Sequence, residues 1–556
     1  MTLPFTATLS SQPGQTDDAP AWSAGLAELL ASLHQRDGGD PAQAGRIRDW
    51  VRKLAAGLAQ GHVCLVDEHA PWRNLSSPVL VDAARAADTV APLVAEDERL
   101  YLYRHWQAET QLAQALSALD EAVGDAAPVA AHHLDGLNER QRQAVAMATQ
   151  RRFSLITGGP GTGKTYTLVR ILLALLEQNP TLHVALAAPT GKAAARMYEA
   201  LSAALAKATG VTDAMRAALP TSASTLHRLL GIQYDRPAQY HAANPLPFDL
   251  VIVDEASMID LRLASQLLAA IDPRRTRLIL LGDANQLAAV EAGAVLEEMG
   301  RAPRLQAARV ALNESQRFGA DSGIGRLAAA ICAGDSAAVL GFRRQGLDKV
   351  RFEDLPGAEA LAEALFRGYA PYVDALRGGA DTEAVLAAFG RFRVLCALRE
   401  GTTGVAGLNE RLTARLRAAL GQEAGAALWF HGRPVMVMQN DYALNVFNGD
   451  IGVALRSAAG LEVFFPGRER GISVARLAHV ETAFAMTVHK SQGSEFEEVA
   501  VVLPGADSQV VSRELLYTGV TRARVRVQVW AGERGLSVAV GRRTERRSGL
   551  GGKVIM

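Results

Sequence analysis

The 556 residues are too many for one ordinary hydrophobic core, so two to four domains are expected. With 49% apolar and 21% charged residues the balance is that of a globular chain, and no apolar run reaches the ~20 residues a membrane-crossing helix needs. The 58 basic and 58 acidic residues cancel, which excludes net charge as a source of nucleic-acid affinity and leaves only local patches.

Taken in chain order, residues 1–20 are polar, rich in Pro, Gly and Ser, and without periodicity, so they are expected to be disordered and carry no secretory signal. From Trp22 to about Val123 the pattern is helical, with apolar residues at i, i+3 and i+4 in AGLAELLASLHQ and in RLYLYRHWQAETQLAQALSALDEAV. Trp22, Trp50, Trp72, Tyr101, Tyr103 and Trp106 crowd this stretch, as interface residues or as its own core. DAAPVAAHHLDG reads as a linker. Between Phe153 and Leu281 the runs FSLIT, HVALAAP, LVIVDEA and RLILLGD alternate with helical stretches, which means a parallel sheet covered on both faces. A second such unit begins at RFRVLCAL and resumes with EEVAVVLP and VRVQVW. Residues 430–482, with Asn-Gly and Pro-Gly turns between short alternating runs, suggest a small β-barrel inserted into it. The basic tail GRRTERRSG reads as a solvated or phosphate-facing end. Cys64, Cys332 and Cys396 lie far apart, which favours a reducing, cytoplasmic setting over a zinc or iron–sulfur site.

The chemistry is carried by SLITGGPGTGKTYTL. An apolar strand runs into Gly158, Gly159, Pro160, Gly161, Thr162, Gly163, Lys164 and Thr165, and then into an apolar helix that passes Tyr166. Glycines let backbone N–H groups curl around phosphate oxygens at the positive end of that helix, Lys164 reaches the β- and γ-phosphates of ATP, and the Thr165 hydroxyl ligates Mg²⁺. DLVIVDEAS ends a strand on paired carboxylates: Asp254 for Mg²⁺, Glu255 to activate the attacking water. In RLILLGDANQL, Gln286 either senses the γ-phosphate or orients water, and Asp283 reads as a cap. Arg317 in LNESQRF and Arg522 in LLYTGVTRAR are the candidates for charge stabilisation. The 58 basic residues include only seven lysines, leaving 51 arginines, and three of the seven (Lys164, Lys192, Lys490) fall within motifs.

These motifs, with APTGKAAARM, TLHRLLG, VFNGDIG and AMTVHKSQGSEF, follow in an order that resembles the superfamily 1B DNA helicases, most closely the RecD (alpha) subunits of bacterial exodeoxyribonuclease V, from roughly Leu137 to Leu550. GDANQLAAV departs from the family's usual GDxxQLPSV. The resemblance implies an α/β chain: disordered residues 1–20, a helical partner-docking domain over 21–125, RecA-like motor domains over 126–335 and 336–556, and an SH3-like insertion at 430–482. It implies Gln141 as an adenine-reading residue and Glu495 as a contact to the nucleotide sugar. Thr190 and Lys192, with Thr487 and His489, would contact DNA; Tyr442, Phe447 and Asn448 would either contact DNA or pack the barrel. Single-stranded DNA and 5′-tailed duplex ends as substrates, 5′-to-3′ polarity, and RecB and RecC (the beta and gamma subunits) as partners in a heterotrimer follow from the same resemblance. A stand-alone RecD-like helicase is the alternative. No further carboxylate cluster reads as a nuclease centre, so that centre is expected on another subunit.

Overall fold

Short apolar strands ending on glycine or polar residues frame the computed structural model, which describes residues 20–121, 129–208, 210–233, 236–315, 317, 319, 322–422, 427–441, 443–505 and 508–554. The stretch expected to be disordered lies, but for residue 20, outside the described residues. The chain forms two units: one holds the described residues up to Glu109 with Val290–Gly293 and Arg546–Gly549, the other holds the rest.

The first unit is mixed rather than helical, a correction to the expectation. Helices Trp22–Arg36 and Ala44–Ala59 pack through Ala27, Leu30, Ile47, Val51 and Leu54. Beside them stands a four-stranded sheet: β1 (Leu65–Val66), β2 (Leu80–Asp82), β3 (Leu93–Glu96) and β4 (Arg99–Leu102), in the order β1-β4-β3-β2. Strands of two to four residues are too short to display a period, which is why the sheet is silent in the sequence. Trp50 and Trp72 meet edge to face at 5.9 Å inside the shared core, and Tyr101 and Trp106 are buried as well; Trp22 alone of the tryptophans here is about half exposed (48%). Two distant segments complete the unit. The Gly293 N–H donates to Gly61 O at 3.0 Å and the Val63 N–H to Arg547 O at 2.7 Å. The buried Glu109 carboxylate accepts from Tyr101 Oη (3.0 Å), Ser548 Oγ (2.7 Å) and Gly549 N (3.0 Å). The basic tail is therefore not a free end: Arg542 donates to Ser508 O, Arg543 to Glu297 and Arg546 to Gly293 O, each at 2.7 Å.

In the second unit, β5 (Phe153–Gly158), β6 (Val184–Ala188), β7 (Ser224–Thr225), β8 (Leu250–Val253), β9 (Arg277–Gly282) and β10 (Arg309–Leu312) form a parallel sheet in the order β10-β5-β9-β8-β6-β7. Every residue of β6, β8 and β9 is buried, as a sheet covered on both faces requires. One cover is the helix Lys164–Gln178, whose Leu168, Ile171, Leu172, Leu175 and Leu176 follow the helical period into the core. The order β5-β9-β8 sets side by side the strand ends that carry the phosphate-loop glycines, Asp283 and Asp254.

A second parallel sheet contains β11 (Val350–Glu353) and β12 (Phe392–Cys396). The chain then leaves it for β13 (Arg433–Val437), β14 (Ile451–Ser457), β15 (Gly460–Phe464), β16 (Ile472–Ser473) and β17 (Val480–Thr482), an antiparallel sheet in the open order β16-β15-β14-β13-β17 around Val435, Val437, Ala454, Val463 and Phe465. It returns with β18 (Ala485–Thr487), β19 (Phe496–Val502) and β20 (Ala523–Trp530), giving the order β11-β20-β19-β12-β18. No helix among the described residues is long and apolar enough to cross a membrane.

Candidate functional site

The turn from β5 into the helix Lys164–Gln178 needs left-handed backbone at Gly161 (φ +76°) and Gly163 (φ +83°), where a Cβ would strain the chain. A Cβ at Gly161 would also fall 2.2 Å from Arg317 Cβ, and one at Gly163 2.6 Å from Gln141 Nε2. Lys164 Nζ donates back to Gly158 O (2.5 Å) and Gly159 O (3.2 Å), and Thr162 Oγ1 donates to Gly159 O (2.9 Å), so the loop carries its own scaffold. Gln141 props the loop from behind. Its amide nitrogen donates to Thr162 O at 3.4 Å, while its amide oxygen accepts the Asn138 N–H in a reciprocal helix cap. Tyr166 is 41% exposed, with the Arg170 guanidinium 5.3 Å from its ring centre and bonded to its hydroxyl at 3.0 Å.

Asp254 and Glu255 follow β8 directly. Glu255 stands at φ +53°, a conformation that costs a non-glycine residue on the order of 1–2 kcal/mol. The Asp254 carboxylate offsets part of this by accepting the Glu255 N–H at 2.8 Å. Burial pushes both carboxyls above their ordinary range. Lys164 opposes the rise most at Asp254; at Glu255 the Asp254 charge adds to it and Arg522 opposes it. Gln286 and Arg317 line the same cleft of about 980 Å³, as do Pro160 to Tyr166.

The opposite wall belongs to the second parallel sheet. Arg522 is buried (3% exposed) between the helix Arg513–Val520 and β20, donating to Thr518 O and Ser494 O at 3.2 Å each. Glu495 draws three arginines together: Arg317 at 2.7 Å, Arg196 at 3.3 Å and Arg524 at 3.6 Å. Burial pushes its carboxyl up, and the charges of Arg317 and Arg196 more than reverse this, holding it below the ordinary range. Arg196 and Arg524 line the cleft and were not singled out in the sequence, although both lie within quoted motifs, Arg196 four residues after Lys192. Asp283 is more than a cap. Besides the Asn285 N–H (3.0 Å) it accepts from the Gln286 side chain and from Tyr517 Oη, each at 3.0 Å.

Of the residues assigned to DNA, the structure brings three together. Thr190 caps the helix Gly191–Lys207, its hydroxyl accepting the Ala193 N–H at 3.2 Å. A Cβ at Gly191 would lie 3.4 Å from Phe447 Cβ, so the inserted sheet's loop abuts this turn. Lys192 is the second residue of that helix, its ammonium pKa lowered to about 8 by burial, then by Arg393 and Arg196, with Asp450 opposing. Asn448 is exposed on the same loop, its N–H donating to Asn440 Oδ1 at 2.9 Å. Thr487 ends β18 and accepts the Lys490 N–H at 3.3 Å, and His489 begins the next short helix. Tyr442 lies outside the described residues.

Residues 141–292 match the AAA domain family and residues 482–529 the UvrD-like helicase C-terminal domain. RecBCD enzyme subunit RecD of Mycobacterium tuberculosis is 42% identical over 522 residues, covering 90% of this chain and 89% of that protein. The Haemophilus influenzae protein of the same name is 35% identical, covering 94% and 86%. The ATP-dependent RecD2 DNA helicase of Deinococcus radiodurans is 32% identical, covering 85% of this chain but 62% of its own length.

Proposed function

The chain belongs to the family of RecD subunits of the RecBCD enzyme, and from that membership we propose that it is the 5′-to-3′ DNA motor of a cytoplasmic RecBCD-type heterotrimer acting in double-strand break repair and recombination. It is an ATP-dependent DNA helicase. RecB and RecC are its expected partners, and the nuclease centre is assigned to a partner.

The observation that carries this reading is the single cleft in which Lys164, Asp254 and Glu255, from one parallel sheet, face Glu495 and Arg522 from the other. We read the two sheets as RecA-like motor domains over 126–335 and 336–556, the antiparallel sheet within 430–482 as an SH3-like insertion, and residues 21–125 as the docking domain. A hydroxyl at Thr165 and a carboxylate at Asp254 are hard oxygen donors of the kind Mg²⁺ takes. Thr165 and Asp254 would hold Mg²⁺ there, and the ion would supply positive charge against the phosphates. Lys164 binds the same phosphates. Glu255, whose carboxyl burial and the Asp254 charge raise above its ordinary range, takes a proton from the attacking water. Water oxygen bonds to the γ-phosphorus, the bond to the bridging oxygen breaks, and ADP leaves with Arg317 and Arg522 stabilising the developing charge. Release of the γ-phosphate frees the cleft to open, the two-state step a translocase needs. Thr190, Lys192, Thr487 and His489 hold the phosphodiester backbone, and Phe447 with Tyr442 and Asn448 offers further contacts, an arrangement indifferent to sequence.

The identities favour the subunit over a stand-alone helicase, at 42% to one RecD subunit against 32% to RecD2. Two measurements test the proposal. Purified from its native cells the chain should elute as a large heterotrimer, and it should unwind duplexes only from a 5′ single-stranded tail. A free motor in the first assay supports the alternative, and unwinding only from 3′ tails refutes the polarity.

A further inference from the structure

Asp283 is a buried carboxylate, 1% exposed, at the end of β9. Its Oδ1 accepts the Asn285 N–H, and its Oδ2 accepts twice at 3.0 Å: from Gln286 Nε2 and from the hydroxyl of Tyr517, which arrives 234 residues later on the helix Arg513–Val520. A carboxylate only accepts, so the amide nitrogen of Gln286 must face Asp283 and the amide oxygen must face away. That oxygen is buried and has no hydrogen-bond partner among the described residues, while Gln286 lines the cleft with Lys164 and Glu255. An acceptor fixed in this way can hold a water O–H. It has no hydrogen to offer a phosphate oxygen.

We propose that Tyr517 is a positioning residue for hydrolysis: through Asp283 it fixes Gln286 with its amide oxygen toward the cleft, and so commits Gln286 to orienting the attacking water rather than to sensing the γ-phosphate. The inference rests on the ATPase reading of the cleft. Burial first, and then the Asp283 charge, push the Tyr517 hydroxyl well above its ordinary range, so it remains a donor throughout the working pH range and no proton passes to it or to Gln286. Two further bonds clamp the same turn to the second sheet: the Leu287 N–H donates to Thr518 Oγ1 (2.9 Å) and Gln492 Nε2 to Leu287 O (2.8 Å). The tyrosine also lies against the phosphate loop, where a Cβ at Gly159 would come within 2.8 Å of its hydroxyl. Opening of the cleft carries Tyr517 away with the second sheet and leaves Asp283 Oδ2 with one of these two donors. The network that ties Gln286 to the second sheet is thus complete only in the closed state.

The test is Tyr517→Phe in the full chain, read by single-turnover ATP hydrolysis on saturating oligo-dT. The hydrolysis rate should fall roughly tenfold with the ATP KM within about twofold, the pattern of an interaction made in the transition state. Combined with Gln286→Ala, Tyr517→Phe should cause no further fall, because the residue it positions is gone. Single-turnover rates remain readable in a strongly impaired background. Asp283→Asn, combined with Gln286→Ala in the same way, provides a second route should the tyrosine variant fold poorly. An unaltered rate in Tyr517→Phe, or the same fold-loss with and without Gln286, overturns the positioning role. A wild-type chain that hydrolyses no ATP overturns instead the reading of the cleft.

Discussion

Gly159 has a backbone conformation that alanine can adopt, yet a methyl group there would meet the Tyr517 hydroxyl at 2.8 Å and Asp283 Oδ2 at 3.9 Å. In Gly159→Ala the phenol must give way. Its bond to a buried carboxylate is of the kind worth about 1.5–3 kcal/mol, and overpacking adds about 1–3 kcal/mol. The closed unit should therefore lose roughly 2.5–6 kcal/mol. At about 2–4 °C per kcal/mol for a domain of 150–250 residues, its thermal midpoint should fall roughly 5–24 °C. Tyr517→Phe removes the atom that clashes, so Gly159→Ala in that background should cost no more than about 1 kcal/mol. The assay is a double-mutant cycle on thermal midpoints, backed by ATP hydrolysis rates, with an expected coupling of at least about 1.5 kcal/mol. An equal cost for Gly159→Ala in both backgrounds would refute the reasoning, because the penalty would then come from the loop itself.

Lys164→Gln should abolish DNA-stimulated ATP hydrolysis with little change in thermal midpoint, since Lys164 is only half-buried and bonds two loop carbonyls; retained activity would sink the site assignment. Arg522→Ala should stop hydrolysis and spare ATP binding, as checked by equilibrium binding of a fluorescent ATP analogue, but it also strips the donor from two carbonyls, so a lower midpoint should accompany it. Lys192→Ala should weaken single-strand binding about equally for all sequences and reduce the salt slope by roughly one. With its pKa lowered to about 8, the Lys192 ammonium is charged below that pH and neutral above it, so wild-type affinity should fall between pH 7 and 9; Lys192→Arg should hold it flat, and an identical pH dependence in both would place the titration elsewhere.

What the sequence revealed was local. Seven glycine, lysine and hydroxyl positions in one run, or two carboxylates closing an apolar strand, declare their chemistry within a few residues. Pairs made by the closing of the cleft do not: Tyr517 with Asp283 and Arg196 with Glu495 join positions hundreds of residues apart, and each half alone looks like an ordinary cap or a surface charge. Gln141 illustrates a shared signal, since the residue assigned to adenine occupies both ends of its amide in a helix cap and a prop for the loop. The aromatic cluster of the N-terminal unit left two readings open. Trp50, Trp72, Tyr101 and Trp106 fill a small core, so composition alone does not distinguish an interface from an interior, and the case for partner docking there falls back on family membership and on the exposed Trp22 and Leu29.

The clasp around Glu109 has a consequence for biosynthesis. On a translating ribosome the residues of the N-terminal unit emerge first, yet two of the three donors to its buried carboxylate lie 439 and 440 positions downstream, and the Arg547–His62 bond spans 485. A nascent chain therefore carries an incomplete first unit through nearly the whole of elongation, because no local contact replaces bonds of that sequence separation. Premature termination anywhere upstream of residue 546 leaves the lesion at the opposite end of the polypeptide, in a unit whose own codons were read without error. Proteases that survey unfinished segments thus have a means of discarding truncated motors before any partner engages them.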